Sequence, residues 1–155
     1  MTRSSENQTS RKRKPYLDPK GRRSANELFG PGGADMMEGH YKRRSTHVDE
    51  SWARLSSDWV LNGMYSRNVL SQGTRELCAV AALTALGHHD ELVDHIKMAL
   101  RVNRPELVRE AILQMAVYSG MPTALAGARL FDRIMEEPEF KKLKLGERRR
   151  TAARA

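Results

Sequence analysis

Cysteine is almost absent from this chain of 155 residues: Cys78 stands alone. A single thiol excludes an intrachain disulfide, a Cys-x-x-Cys redox pair and a multi-thiolate zinc site. Long apolar runs are missing as well. The longest, Leu77 to Leu86, is ten residues interrupted by Thr84, and a membrane-spanning helix needs ~20. The first thirty residues hold charge, Pro and Gly but no apolar core, so no secretory signal is expected and a cytoplasmic setting is the default. No Gly-rich phosphate loop and no Gly-x-Ser-x-Gly is found, which leaves nucleotide cofactors and serine-triad hydrolysis without support. Aromatic residues make up 6% and do not interleave with the basic clusters, so specific nucleic-acid recognition is not expected.

What is abundant is positive charge, with a formal net of +8. It is unevenly spread. Residues 1–50 hold eleven Lys/Arg against seven Asp/Glu, residues 51–138 nine against ten, and residues 139–155 seven against two. The middle is therefore near neutral, and the basicity lies in the ends, at Arg11-Lys12-Arg13-Lys14 and Arg148-Arg149-Arg150. Such clusters read as solvated tails able to make non-specific contact with polyanions. Residues 1–45, with Pro15, Pro19, Gly21, Gly30, Pro31, Gly32 and Gly33, read as a basic, largely irregular arm. Within it Leu28, Phe29, Met36, Met37 and Tyr41 could pack across the domain or a neighbouring subunit.

Residues 46–138 read as an all-α domain of five to six helices. Trp52, Leu55 and Trp59 share one helical face behind the caps Asp49 or Ser51. Ser71 starts a second helix through Val80 and Leu83 that stops at Gly87. After Arg75 and Glu76 this helix has no charged residue, so it must be surrounded by its own domain or by other subunits. A third spans about 90–102, a fourth opens at Pro105 and ends at Gly120, and a fifth runs from Pro122 to just before Pro138. Period-two alternation is absent from this stretch. About ninety residues supply the core and several helices are apolar over a wide arc, which points to an obligate oligomer.

Three polar positions interrupt the apolar pattern. His95 follows Leu92 by three residues and precedes Ala99 by four, so it shares their inward face. Glu76 lies in the first turn of the most apolar helix, and Glu91 precedes His95 by four. A desolvated His–Glu pair is suited to proton transfer. The alternatives are a core histidine bonded to a carbonyl and a carboxylate favoured by the helix dipole. His88, His89, Glu91 and His95 fall within two turns, but their order matches no standard zinc signature, and no metal is expected. Cys78, inside the apolar helix, reads as a buried inert thiol.

The run from Arg75 to Gly87, followed by Asp90-Glu91-Leu92 and His95, resembles the carboxymuconolactone decarboxylase family. A second block, Arg109-Glu110 and then Ile112 to Pro122, recurs in the same order, and Gly63-Met64-Tyr65-Ser66-Arg67 is similar to the family's Gly-x-x-Trp-x-Arg segment. The resemblance covers about residues 50–135. It implies an all-α, cofactor-free protein of the alkylhydroperoxidase D-like superfamily, assembled as trimers or hexamers. The implied activity is decarboxylation of γ-carboxymuconolactone to the β-ketoadipate enol-lactone, in protocatechuate breakdown. The superfamily's peroxidases use a Glu, a Cys-x-x-Cys and a His. Glu76 falls on that Glu position, while His88 and Glu91 stand where the two cysteines would be, so the Glu–His frame is kept and the dithiol is not. Tyr65 replaces the family's Trp, Asn68-Val69 replaces a Pro-Gly, and the segment Val102-Asn103-Arg104 is shorter and lacks a Gly.

On this reading the substrate is a small carboxylated lactone or related carbonyl acid. His95 is the acid, Glu76 orients it, Arg67 clamps a carboxylate, and His88 and Tyr118 line the site. The alternatives are a peroxidase that relies on Cys78 alone and a non-catalytic binding protein of the same fold.

Overall fold

The computed structural model describes residues 14–143, and within them every regular element is helical. Seven α-helices occur in chain order: α1 Pro19–Phe29, α2 Gly33–His47, α3 Glu50–Trp59, α4 Gln72–Leu86, α5 His89–Val102, α6 Pro105–Ser119 and α7 Met121–Met135. A π-helical turn, Val60–Met64, follows α3. None of these helices is long and apolar enough to cross a membrane. The clusters Arg11–Arg13 and Arg148–Arg150 lie outside the described residues.

Local chemistry sets the boundaries. Asp18, Asp49 and Ser71 cap α1, α3 and α4 by accepting the amide protons of Gly21, Trp52 and Thr74. Pro19 and Pro105 sit in first turns, where a missing N–H costs nothing. Gly87 ends α4 in the left-handed region at φ 72°.

The N-terminal arm departs from its expected irregularity. Residues 19–29 and 33–47 form the hairpin α1–α2, and the Gly/Pro cluster is merely the link between them. Close approach explains how so few apolar residues hold it. A Cβ on Gly33 would lie 2.5 Å from the Ala25 carbonyl oxygen, so only glycine lets the two helices meet there. Tyr16, Leu17, Ala25, Leu28, Ala34 and Tyr41 then form a core with Ala53, Leu61 and Met98.

The second, larger core is built by α4 to α7 around Val80, Leu92, Ile96, Ile112 and Phe131. It extends past the expected domain end at 138, because Phe140 is buried in it. Helix α5 serves both cores, giving Ile96 to one and Met98 to the other.

One further expectation is corrected, at Cys78, and the apolar face predicted on α3 is left open. The face carrying Trp52, Leu55 and Trp59 is exposed, at 44%, 68% and 69%. Helix α3 instead packs through the small residues Ala53 and Ser57. Cys78 is exposed, not buried, because the apolar circumference of α4 exceeds what one chain covers.

Candidate active site

The N-terminal end of α4 brings Gln72, Arg75 and Glu76 to one place, and all three side chains are buried. Two of them tie down the preceding loop. Gln72 Nε2 donates to the Tyr65 carbonyl at 2.9 Å, and Arg75 Nη2 donates to the Arg67 carbonyl at 2.8 Å. The third, Glu76, is fully buried and meets His95 of α5, with Oε2 2.9 Å from Nδ1. A carboxylate accepts only, so this contact places a proton on Nδ1 and leaves Nε2 for whatever the ring faces.

The ring faces a cavity of about 460 Å³. One wall comes from α5, where Glu91, Asp94, His95, Met98 and Arg101 fall at helical spacing along a single face. The π-helical turn and its C-cap add Val60, Leu61 and Tyr65. The remaining wall is the hairpin, through Leu28, Phe29, Met36, Met37, His40, Tyr41 and Arg43. A larger hollow of about 780 Å³ lies toward the other end of α5, between the α1–α2 link and residues 139–143. It contains none of Glu76, His95 or Tyr65, so it lies apart from the carboxylate–imidazole pair.

Electrostatics differ among the lining residues. Burial, reinforced by the charge and the hydrogen-bonding pull of Glu76, holds the Tyr65 phenol well above its ordinary range, with Arg75 opposing. Tyr65 is therefore a neutral hydrogen-bond donor near neutral pH. His40 is pushed below the ordinary imidazole value by burial first and then by Arg44 and Arg43, with Asp94 opposing. One turn of α4 also holds the buried polar atoms without a partner among the described residues: Gln72 Oε1, Arg75 Nε and Glu76 Oε1. Such orphaned groups cluster where a ligand or ordered water completes the bonding.

Of the residues singled out in the sequence, His95 and Glu76 are brought together. The others are not. Arg67 is exposed and lines a separate hollow with Lys20, Arg23 and Gln72; what it gives this site is its backbone carbonyl. His88 is exposed at the N-cap of α5, before the helix turns its face toward the cavity. Tyr118 is 74% exposed on α6, which takes no part in the lining. Conversely, Tyr65 and the hairpin residues, none of them a candidate site residue in the sequence, line the cavity. The signal for Tyr65 was its place in the Gly-x-x-Trp-x-Arg-like segment; for His40 and Arg43 no motif pointed inward. Among the described residues no cluster of three or more His, Cys, Asp or Glu forms a metal-binding arrangement.

Among the described residues the fold is all-helical, and a buried carboxylate–imidazole contact lies beside a largely apolar cavity. The model of the carboxymuconolactone decarboxylase family matches residues 52–133, and the chain belongs to that family. It is also 33% identical, over 107 residues, to a 4-carboxymuconolactone decarboxylase of Acinetobacter baylyi, an alignment covering 66% of this chain and 79% of that protein.

Proposed function

We propose that the chain is a carboxy-lyase that acts without a cofactor on a small carboxylated lactone or related carbonyl acid, in the breakdown of aromatic compounds. The observation that carries this reading is the 2.9 Å Glu76–His95 contact at the wall of a largely apolar cavity, in a chain of this family.

The chemistry asks little of the protein beyond placement. The substrate carboxylate is vinylogous to a carbonyl, so when its C–C bond breaks the electron pair passes into the unsaturated ring as a dienolate and CO2 departs. Apolar walls such as Leu61, Met36 and Met98 disfavour the charged carboxylate relative to the more diffuse transition state. Tyr65, its phenol drawn to Glu76, stands beside the pair as an uncharged wall of the cavity. His95, entering the step as the imidazolium with its Nδ1 proton held by the Glu76 carboxylate, delivers its Nε2 proton to carbon and is left as the neutral Nδ1–H tautomer. Solvent returns the proton through the cavity mouth.

The apolar faces left open on one chain support assembly into a homo-oligomer, with a trimer or hexamer as the expected form. Trp52, Leu55 and Trp59 on α3 and Val117, Tyr118 and Met121 around the α6–α7 junction are the surfaces to be covered. A cytoplasmic setting, with a lone unpaired thiol, is part of the same reading. The direct test offers γ-carboxymuconolactone and a panel of carboxylated lactones and β-keto acids to the full chain and follows CO2 release. Turnover of at least one lactone acid is expected; a folded protein that releases CO2 from none of them overturns the reading.

A further inference from the structure

Seven of the cavity's lining residues lie between 28 and 43, upstream of the family-matched stretch 52–133. The acid–base pair lies in the matched stretch, and the wall across from it is built by the α1–α2 hairpin. That wall carries a cation. The cavity is lined by three Lys/Arg side chains, and two are engaged elsewhere: Lys97 Nζ with Glu137 at 2.8 Å, and Arg101 with Glu139 through Nε at 2.9 Å and Nη2 at 2.8 Å. Arg43 makes no ion pair with another described residue. Its Nη1 would lie 3.5 Å from a Cβ placed on Gly39, so the guanidinium folds back along α2 beside His40 and is not splayed away from the helix.

We propose that Arg43 anchors the carboxylate that the substrate keeps, seating the molecule between α2 and α5 with its labile carboxylate toward His95. This rests on the decarboxylase reading and deepens it by naming a residue of the hairpin that positions the substrate. The acids Glu91 and Asp94 on the α5 wall repel an anion placed near them, which favours the α2 side for that arm. His40, neutral next to Arg43, adds a hydrogen-bonding group without competing charge. Met36, Met37 and Phe29 supply a flexible apolar bed for the ring. The guanidinium fork suits a carboxylate better than an ammonium would, and the clamp expected at Arg67 moves to Arg43.

The test uses an unsaturated γ-lactone bearing one carboxymethyl group, which has no carboxylate to lose, together with its methyl ester. Binding of each to the full-length protein and to Arg43→Gln is measured by calorimetry, with thermal melts as the folding control. The acid should bind the unsubstituted protein and weaken about ten- to a hundredfold in the variant, the loss of a charge-assisted pair, while the ester binds weakly and equally to both. Equal acid affinity in the two proteins, no acid binding to the unsubstituted protein, or the same loss on Arg67→Gln instead would each overturn the proposal. CO2 release is followed separately. The binding pattern without any CO2 would keep the anchor and reject the decarboxylase reading; CO2 release with KM unchanged in Arg43→Gln would do the reverse.

Discussion

Replacing Glu76 with glutamine removes one charge and almost no volume from a fully buried position. In the parent the carboxylate accepts the Nδ1 proton of His95 across 2.9 Å, while its second oxygen, Oε1, has no partner among the described residues. The amide oxygen of the replacement side chain can still accept that proton, so the ring keeps its tautomer; what is lost is the charge assistance, about 1.5–3 kcal/mol for a hydrogen bond to an ionised group. Expressed in the protonation step, that is a fall in kcat of roughly ten- to a hundredfold. Stability should barely move, because a buried carboxylate with an unpartnered oxygen is itself costly and its loss offsets the weaker bond. The assay is CO2 release under substrate saturation, paired with a thermal melt. A variant with full kcat would refute the role given to Glu76. A variant that melts far below the parent would show the pair to be structural instead.

Three further outcomes follow from the geometry. His40 has a folded-state pKa below its ordinary 6.5, so the folded state binds its proton less readily than the unfolded chain does. Its contribution to stability is present above that value and is lost as pH falls below it; melts between pH 7 and 5 should show a smaller decline in His40→Gln, and parallel declines would contradict this. Gly127→Ala places a Cβ 2.9 Å from Ile112 Cγ2 and 3.1 Å from Thr84 Cγ2, where α4, α6 and α7 meet; urea unfolding should register about 1–3 kcal/mol of destabilisation, and an unchanged midpoint would count against this packing. Leu55→Glu with Trp59→Glu charges the open face of α3, and light scattering should show a smaller assembly than the parent; an unchanged mass would remove that face from the subunit contacts.

The parts of this fold that were legible in the sequence are those with strong punctuation. Ser71, Gly87, Pro105, Gly120 and Pro122 marked the limits of α4 to α7 because caps and breakers act locally. His95 was found because a polar residue in an apolar register is conspicuous. The hairpin was not legible, since α1 and α2 bury small residues by close approach at Gly33, Ala25 and Ala34, and small residues leave little hydrophobic periodicity. Periodicity placed α3 correctly but has a physical limit there. It identifies an apolar face but not what covers it, and there the chain packs through Ala53 and Ser57 and leaves the tryptophans outside. The cavity was hidden for the same cause, as half of its wall comes from residues whose helical state was not expected.

Turnover depends on proton delivery from His95. The most direct measurement is the turnover of γ-carboxymuconolactone by His95→Gln, with binding of the decarboxylation-inert lactone acid measured on the same preparation. The expected result is a loss of about a hundredfold or more in kcat with the inert acid still bound. A variant that releases CO2 at the parent's rate would contradict it.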